Sequence, residues 1–189
     1  MRNGFSFRMH KLALRVTQQV DFTDPDEPCH DVALIIEGEK IYASKQILGS
    51  YSTVFKAMFY GDFAEKNKNE IELKDVKKEE FVDLLRVISP SSRRIAFPLI
   101  SPLLILGDRF DIKYVMDRAE SCLITSNRLS DITKLAFSDR YKLSSVKEHC
   151  FSKLQTVGDV KSIEESPYFG QLSDEMKAAI REHKARIEG

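Results

Sequence analysis

The sequence predicts an α/β fold of the α+β kind, mostly helical, in which a small three-stranded sheet is flanked by helices and followed by an α-helical extension. Three observations carry this. Asp31-Val-Ala-Leu-Ile-Ile-Glu37 is a β-branched and apolar run that stops at Gly38-Glu39 and resumes as Lys40-Ile-Tyr-Ala43, as the two strands of a hairpin do. Glu70-Ile-Glu-Leu73 alternates polar and apolar residues, the pattern of a third strand with one buried face. From Ser101 onward the apolar residues recur only at helical spacing.

Each element has a local cause. Ser44 caps a helix that begins at Lys45-Gln-Ile-Leu48, and Ser52 caps a second from Thr53 to Tyr60. In the second helix Val54, Phe55, Met58 and Phe59 share one face, which fits the core of the domain; a partner contact is the alternative. Phe81, Leu84, Leu85 and Ile88 fall at helical spacing, and that helix must end before Pro90. Ser101-Pro102 reads as cap and first residue of a helix from Leu103 to Phe110, and Lys113 to Ile124 places Val115, Ala119, Cys122 and Leu123 on one side. Ser130 is expected to cap Asp131 to Lys142, Ser144 to cap Ser145 to Leu154, Thr156 to open a short turn through Ile163, and Ser173 to cap a tail helix through Ile187. The expected core comprises Leu34, Ile36, Ile47, Leu48, Phe55, Met58, Phe81, Leu85 and Leu106. Asp131 to Leu154 should form an antiparallel helix pair packed through Ile132, Leu135, Val146 and Cys150. Residues 1–27, which end in the acidic, turn-rich Asp21-Phe-Thr-Asp-Pro-Asp-Glu27 stretch, read as a leader or linker, 28–124 as the domain and 125–189 as the helical extension.

The bulk properties remove several function classes. Lys and Arg total 29 and Asp and Glu total 29, so no global field steers the chain toward nucleic acid or an anionic membrane. No apolar run approaches the roughly 20 residues of a membrane helix. Cys29, Cys122 and Cys150 are few, odd in number and far apart, which argues for a reducing compartment, cytoplasmic or nuclear. Cys29-His30 and His149-Cys150 lack the paired spacing of a structural zinc site, and no cofactor is expected. The sequence holds no Gly-x-Ser-x-Gly turn, phosphate-cradling glycine loop or His-Glu-x-x-His helix, so no catalytic residue is assigned and the chain is not read as an enzyme. The lysines from Lys66 to Lys78 are interleaved with Glu65, Glu70, Glu72 and Asp75, which makes a solvated face.

The run Asp31 to Lys45, the set Ile47-Leu48, Ser52-Thr-Val-Phe55 and Met58-Phe59, then Glu70 to Val76 with Phe81 and Leu84-Leu85, and Leu106-Gly-Asp-Arg-Phe110 with Val115 and Ala119-Glu120 together resemble the BTB/POZ domain. Phe59-Tyr-Gly-Asp-Phe-Ala-Glu-Lys66, Ser89-Pro-Ser-Ser92 and Asp108-Arg-Phe110 resemble the nematode BTB proteins that are often joined to a MATH domain. Tyr141-Lys-Leu143, Val146 and Cys150 resemble the three-box or BACK-like repeat that follows such domains. About thirty upstream residues are too few for a MATH sandwich, so none is expected there. Pro25 and Pro28 stand where dimeric members carry a helix, and self-association is left open.

The resemblance implies a protein-interaction module, an adaptor that docks on a cullin-3-type scaffold for ubiquitin-ligase recruitment, with Phe59, Tyr60, Phe63 and Glu65 as the partner-binding residues. Phe63-Ala-Glu65 resembles the hydrophobic-x-Glu element of cullin-binding members. An exposed aromatic fills a partner pocket and a nearby carboxylate fixes register. The bland alternative is that Phe63 packs back on its own domain. The rival function is an oligomerisation scaffold or regulator that pairs with full-length BTB relatives.

Overall fold

A computed structural model describes residues 20–61, 68–89 and 93–189. They fall into two compact units, with the break between Met116 and Asp117.

In the first unit β1 (Val32–Ile36), β2 (Glu39–Ala43) and β3 (Glu70–Glu72) form a sheet in the order β2-β1-β3, with β2 antiparallel and β3 parallel to β1. Glu37 and Gly38, with φ of 52° and 80°, make a two-residue turn in which both residues are left-handed, the kind whose twist matches a hairpin. The turn therefore lies one residue earlier than expected: Glu39 is already in β2, paired with Ile36. Alternation puts Leu34, Ile36, Ile41 and Ala43 into the core. Ahead of β1, residues 20–31 carry turns rather than a helix, and the carbonyl of Phe22 accepts from the Tyr42 amide on the outer edge of β2.

Among the described residues α1 (Lys45–Tyr51) and α2 (Thr53–Tyr60) come between β2 and β3, and α3 (Lys78–Ile88) and α4 (Ile100–Arg109) come after β3. The hydroxyls of Ser44 and Ser52 accept from the Ile47 and Phe55 amides at 3.3 and 3.0 Å, as the sequence predicts. The start of α4 differs. A 3-10 turn at Phe97–Leu99 leads directly into it, so Ser101 and Pro102 are its second and third residues; a proline is tolerated there because first-turn amides have no intrahelical acceptor. Leu34, Ile36, Leu48, Phe55, Phe81, Leu85 and Leu106 are buried, while Ile47 and Met58 are half-buried at the core margin and Val54 faces solvent. The centre is aromatic: the ring of Phe55 lies 4.7 Å from Phe110 and 6.1 Å from Phe81.

The break between the units falls inside α5 (Lys113–Thr125). The second unit continues with α6 (Asp131–Tyr141), α7 (Ser144–Lys153), α8 (Val157–Glu164) and α9 (Asp174–Glu188). Ser130 and Ser173 cap α6 and α9 as expected. Thr156 opens a full helix, because Asp159 completes a capping box with it. Ser144 is not a cap; it is the first residue of α7. The carboxylate of Glu120 accepts from the Ser145 and Val146 amides, at 2.7 and 3.2 Å, so the cap comes from α5. Ile132, Leu135, Val146 and Cys150 are buried, and the Lys153–Asp131 ion pair (3.3 Å) sets the end of α7 beside the start of α6, an antiparallel pair.

Candidate functional site

The joint between α1 and α2 is tied down by residues far along the chain. Ser52 caps α2 while its hydroxyl donates to the Phe110 carbonyl, and the Thr53 hydroxyl donates to the Asp111 carboxylate. Phe55 and Phe59 stack at 5.6 Å on the inner face of α2, with Phe59 3% exposed. One residue on is about 100° around the helix, so Tyr60 faces outward at 55% exposure. Its ring lies along α1, where a Cβ on Gly49 would stand 3.0 Å from it, a tight contact that the exposed ring would have to yield to. Tyr51 pairs with Tyr114 at 5.1 Å and is itself exposed, as is Val54.

Of the four partner-binding residues expected, Tyr60 is therefore on the surface and Phe59 is in the core; Phe63 and Glu65 lie outside the described residues. Sequence reasoning set Val54 on the face shared with Phe55, yet it is exposed, and it missed the exposed Tyr51. Val54 precedes Phe55 by one residue, and once Phe55 is taken as the buried phase the same 100° step turns Val54 out. Tyr60 is thus an exposed aromatic at the end of a helix whose start is tied to Phe110 and Asp111.

Nothing comparable favours metal or thiol chemistry among the described residues. No three His, Cys, Asp or Glu side chains converge there as metal ligands. The His30 Nδ1 is engaged by the Asp24 carbonyl at 2.7 Å. Burial pushes the thiols of Cys29 and Cys122 above their ordinary value and that of Cys150 up to about 11, which disfavours the nucleophilic thiolate. No helix among the described residues is long and apolar enough to cross a membrane.

The profile of the BTB/POZ domain family matches residues 22–127. BTB and MATH domain-containing protein 38 of Caenorhabditis elegans is 39% identical over 176 residues, 93% of this chain and 46% of that protein. BTB and MATH domain-containing protein 36 of the same organism is 39% identical over 151 residues, 80% of this chain and 47% of that protein. Among solved structures, the BTB domain of zebrafish PATZ1 aligns with a TM-score of 0.44 and 20% identity, over 51% of this chain and 77% of that chain. The chain thus spans about half the length of the curated relatives it matches. With the family profile covering more than half of its residues, the chain belongs to the BTB/POZ domain family.

Proposed function

We propose that this chain is a BTB adaptor that docks on a cullin-3 scaffold and so serves ubiquitin-ligase recruitment in the cytoplasm or nucleus. Membership of a protein-interaction family supplies the coarse role. The observation that carries the finer one is Tyr60: an aromatic 55% exposed at the end of α2, its ring against Gly49 of α1, on a helix whose start is tied down by Ser52 and Thr53. Phe63 and Glu65 follow it directly in sequence and match the hydrophobic-x-Glu element. Phe59 contributes from inside, by fixing the rotation of α2 that presents Tyr60.

The test is titration of the folded chain against purified cullin-3, with mass in solution measured on the same samples. Phe63→Ala, Glu65→Lys and Tyr60→Ala are each expected to weaken binding about tenfold or more, since a central aromatic anchor or a paired charge at an interface is worth roughly 2 kcal/mol. Equal affinities for wild type and all three variants overturn the assignment. A chain that forms a stable oligomer and leaves cullin-3 unbound belongs to the scaffold or regulator class instead.

A further inference from the structure

We infer that the helical second unit carries a preformed docking groove for an acidic peptide segment of a client protein, walled by Tyr168 and read by Arg140 and Lys142. This deepens the adaptor reading, and rests on it, by naming where a recruited protein is held.

The groove is a cavity of about 690 Å³ between α6 and the 168–173 segment, within the range of ligand and peptide sites. Ala136, Phe137 and the buried Leu172 give it an apolar floor, and Tyr168 stands over it at 53% exposure. Both walls are fixed. On one side Lys142 ends α6 in the left-handed conformation, φ 55°, and the Leu143 amide donates to the Ser138 carbonyl. On the other, the Lys177 ammonium donates to the Gly170 carbonyl at 3.2 Å and the Leu172 amide closes on Phe169. A second cavity of about 400 Å³ shares Tyr168, so an extended chain has room to pass on either side of that ring.

Charge selects the occupant. Asp139 is 11% exposed and its two oxygens are taken by the Ser173 amide and hydroxyl, each at 2.7 Å. In the neighbouring cavity Asp131 is paired with Lys153, and Asp159 accepts from Thr156. The cations are less engaged. Lys142, 74% exposed, reaches Asp139 only at 3.9 Å, and the Arg140 guanidinium has no carboxylate partner among the described residues, lying instead 5.5 Å from its neighbour's ring at Tyr141. The available charge of the groove is positive, and an exposed guanidinium binds carboxylates as a planar fork. An apolar floor with a cationic rim fits an extended segment rich in Asp and Glu around one aromatic anchor.

The probe is a fluorescein-labelled ten-residue peptide of Asp and Glu with one central Phe, set against its Lys counterpart, by fluorescence anisotropy on the full chain. The acidic peptide is expected to bind, more weakly as salt rises, and the basic one at least about tenfold less tightly. Arg140→Glu and Tyr168→Ala should each weaken the acidic peptide about tenfold; Arg140→Gln, milder for folding, should lie between. Absence of acidic-peptide binding up to about 1 mM, equal binding of both peptides, or an unchanged affinity in Arg140→Glu each overturns the proposal. Cullin-3 titration of the same Arg140→Glu protein separates the two readings. Retained cullin-3 affinity with lost peptide binding is the expected result, whereas wild-type peptide binding without any cullin-3 binding removes the adaptor role and, with it, the client assigned to this groove.

Discussion

The two units are held together by different physics. The first has an aromatic centre, Phe55 against Phe81 and Phe110, packed on the inner face of its sheet. In the second, none of the fully buried apolar side chains is aromatic, and its helices begin on hydrogen bonds from side chains: Glu120 at α7, Thr156 with Asp159 at α8, and Ser173, itself gripped by Asp139, at α9. Packing is non-directional and answers to volume. Capping is directional, and a carboxylate at a helix N-terminus also meets the positive end of the helix dipole. Ser44 and Ser52 cap helices of the first unit too, but its centre should suffer most from lost methylenes, whereas the second unit should respond most to single capping oxygen atoms and to acid.

The largest effect expected from this contrast is at Phe55, 0% exposed and in contact with three other aromatic rings. Phe55→Ala should destabilise the first unit by about 3–5 kcal/mol, read as a lowered urea midpoint. Phe55→Leu should recover part of that loss, because the core responds to volume more than to ring geometry. A Phe55→Leu variant as damaged as Phe55→Ala would break the contrast, by showing that the aromatic centre itself depends on directional ring contacts.

Next in size is Glu120, which satisfies two amides at the start of α7. Glu120→Ala strands both and should destabilise the second unit by about 1–3 kcal/mol, whereas Glu120→Gln keeps one acceptor and should fall between. Cys150 supplies the readout. It is 0% exposed and burial pushes its thiol up to about 11, so it should resist a thiol reagent at neutral pH in the folded chain while exposed Cys29 reacts. Faster labelling of Cys150 in Glu120→Ala, with unchanged labelling in Phe55→Ala, would place each residue's influence in its own unit.

This difference between the units also decides what could be read in the sequence. Period-two alternation from Val32 to Ile36 and the helical phase of Phe81, Leu84, Leu85 and Ile88 are local, and the structure reproduces them. Local caps were legible for the same reason, since Ser44, Ser52, Ser130 and Ser173 lie three residues from the amides they accept from. Glu120 was not, because its acceptor role is decided by where α5 and α7 meet. The hairpin turn shifted by one residue because left-handed φ at Glu37 is not written in its side chain. At the candidate site Tyr60 was legible from its place before Gly61, but the outward phase of Val54 depends on Phe55 finding Phe110, a distant partner. The groove of the second unit depends likewise on the 168–173 segment folding back along α6.

Thr156 is a milder and more local test. Its hydroxyl accepts from the Asp159 amide at 3.1 Å, and Thr156→Ala should remove about 1 kcal/mol from the second unit, with Thr156→Ser close to wild type. Urea unfolding followed by Cys150 labelling checks this. Equal losses for alanine and serine would mean that the methyl of Thr156, and not its oxygen, supports α8, and the second unit would then resemble the first.

The smallest effect is the most specific to the capping reading. Hydrogen bonds from the Thr156 hydroxyl, and then from the Thr156 backbone amide, hold the Asp159 carboxyl below its ordinary value of 3.8. Because the folded value is the depressed one, the stabilisation is fully present above 3.8 and is lost as pH falls from there through the folded value. Between about pH 5 and 8 the contribution should be flat, since Asp159 is ionised in both folded and unfolded chains. The comparison protein is Asp159→Asn, which keeps an acceptor oxygen but cannot titrate. Far-UV circular dichroism of urea unfolding across a pH series should show wild type more stable than Asp159→Asn at neutral pH, with the gap closing only below about pH 4. Because the carboxylate is at the surface, salt should narrow the gap at neutral pH. A gap that begins to close near pH 6 would require a histidine instead, and would detach the acid response of α8 from its capping box.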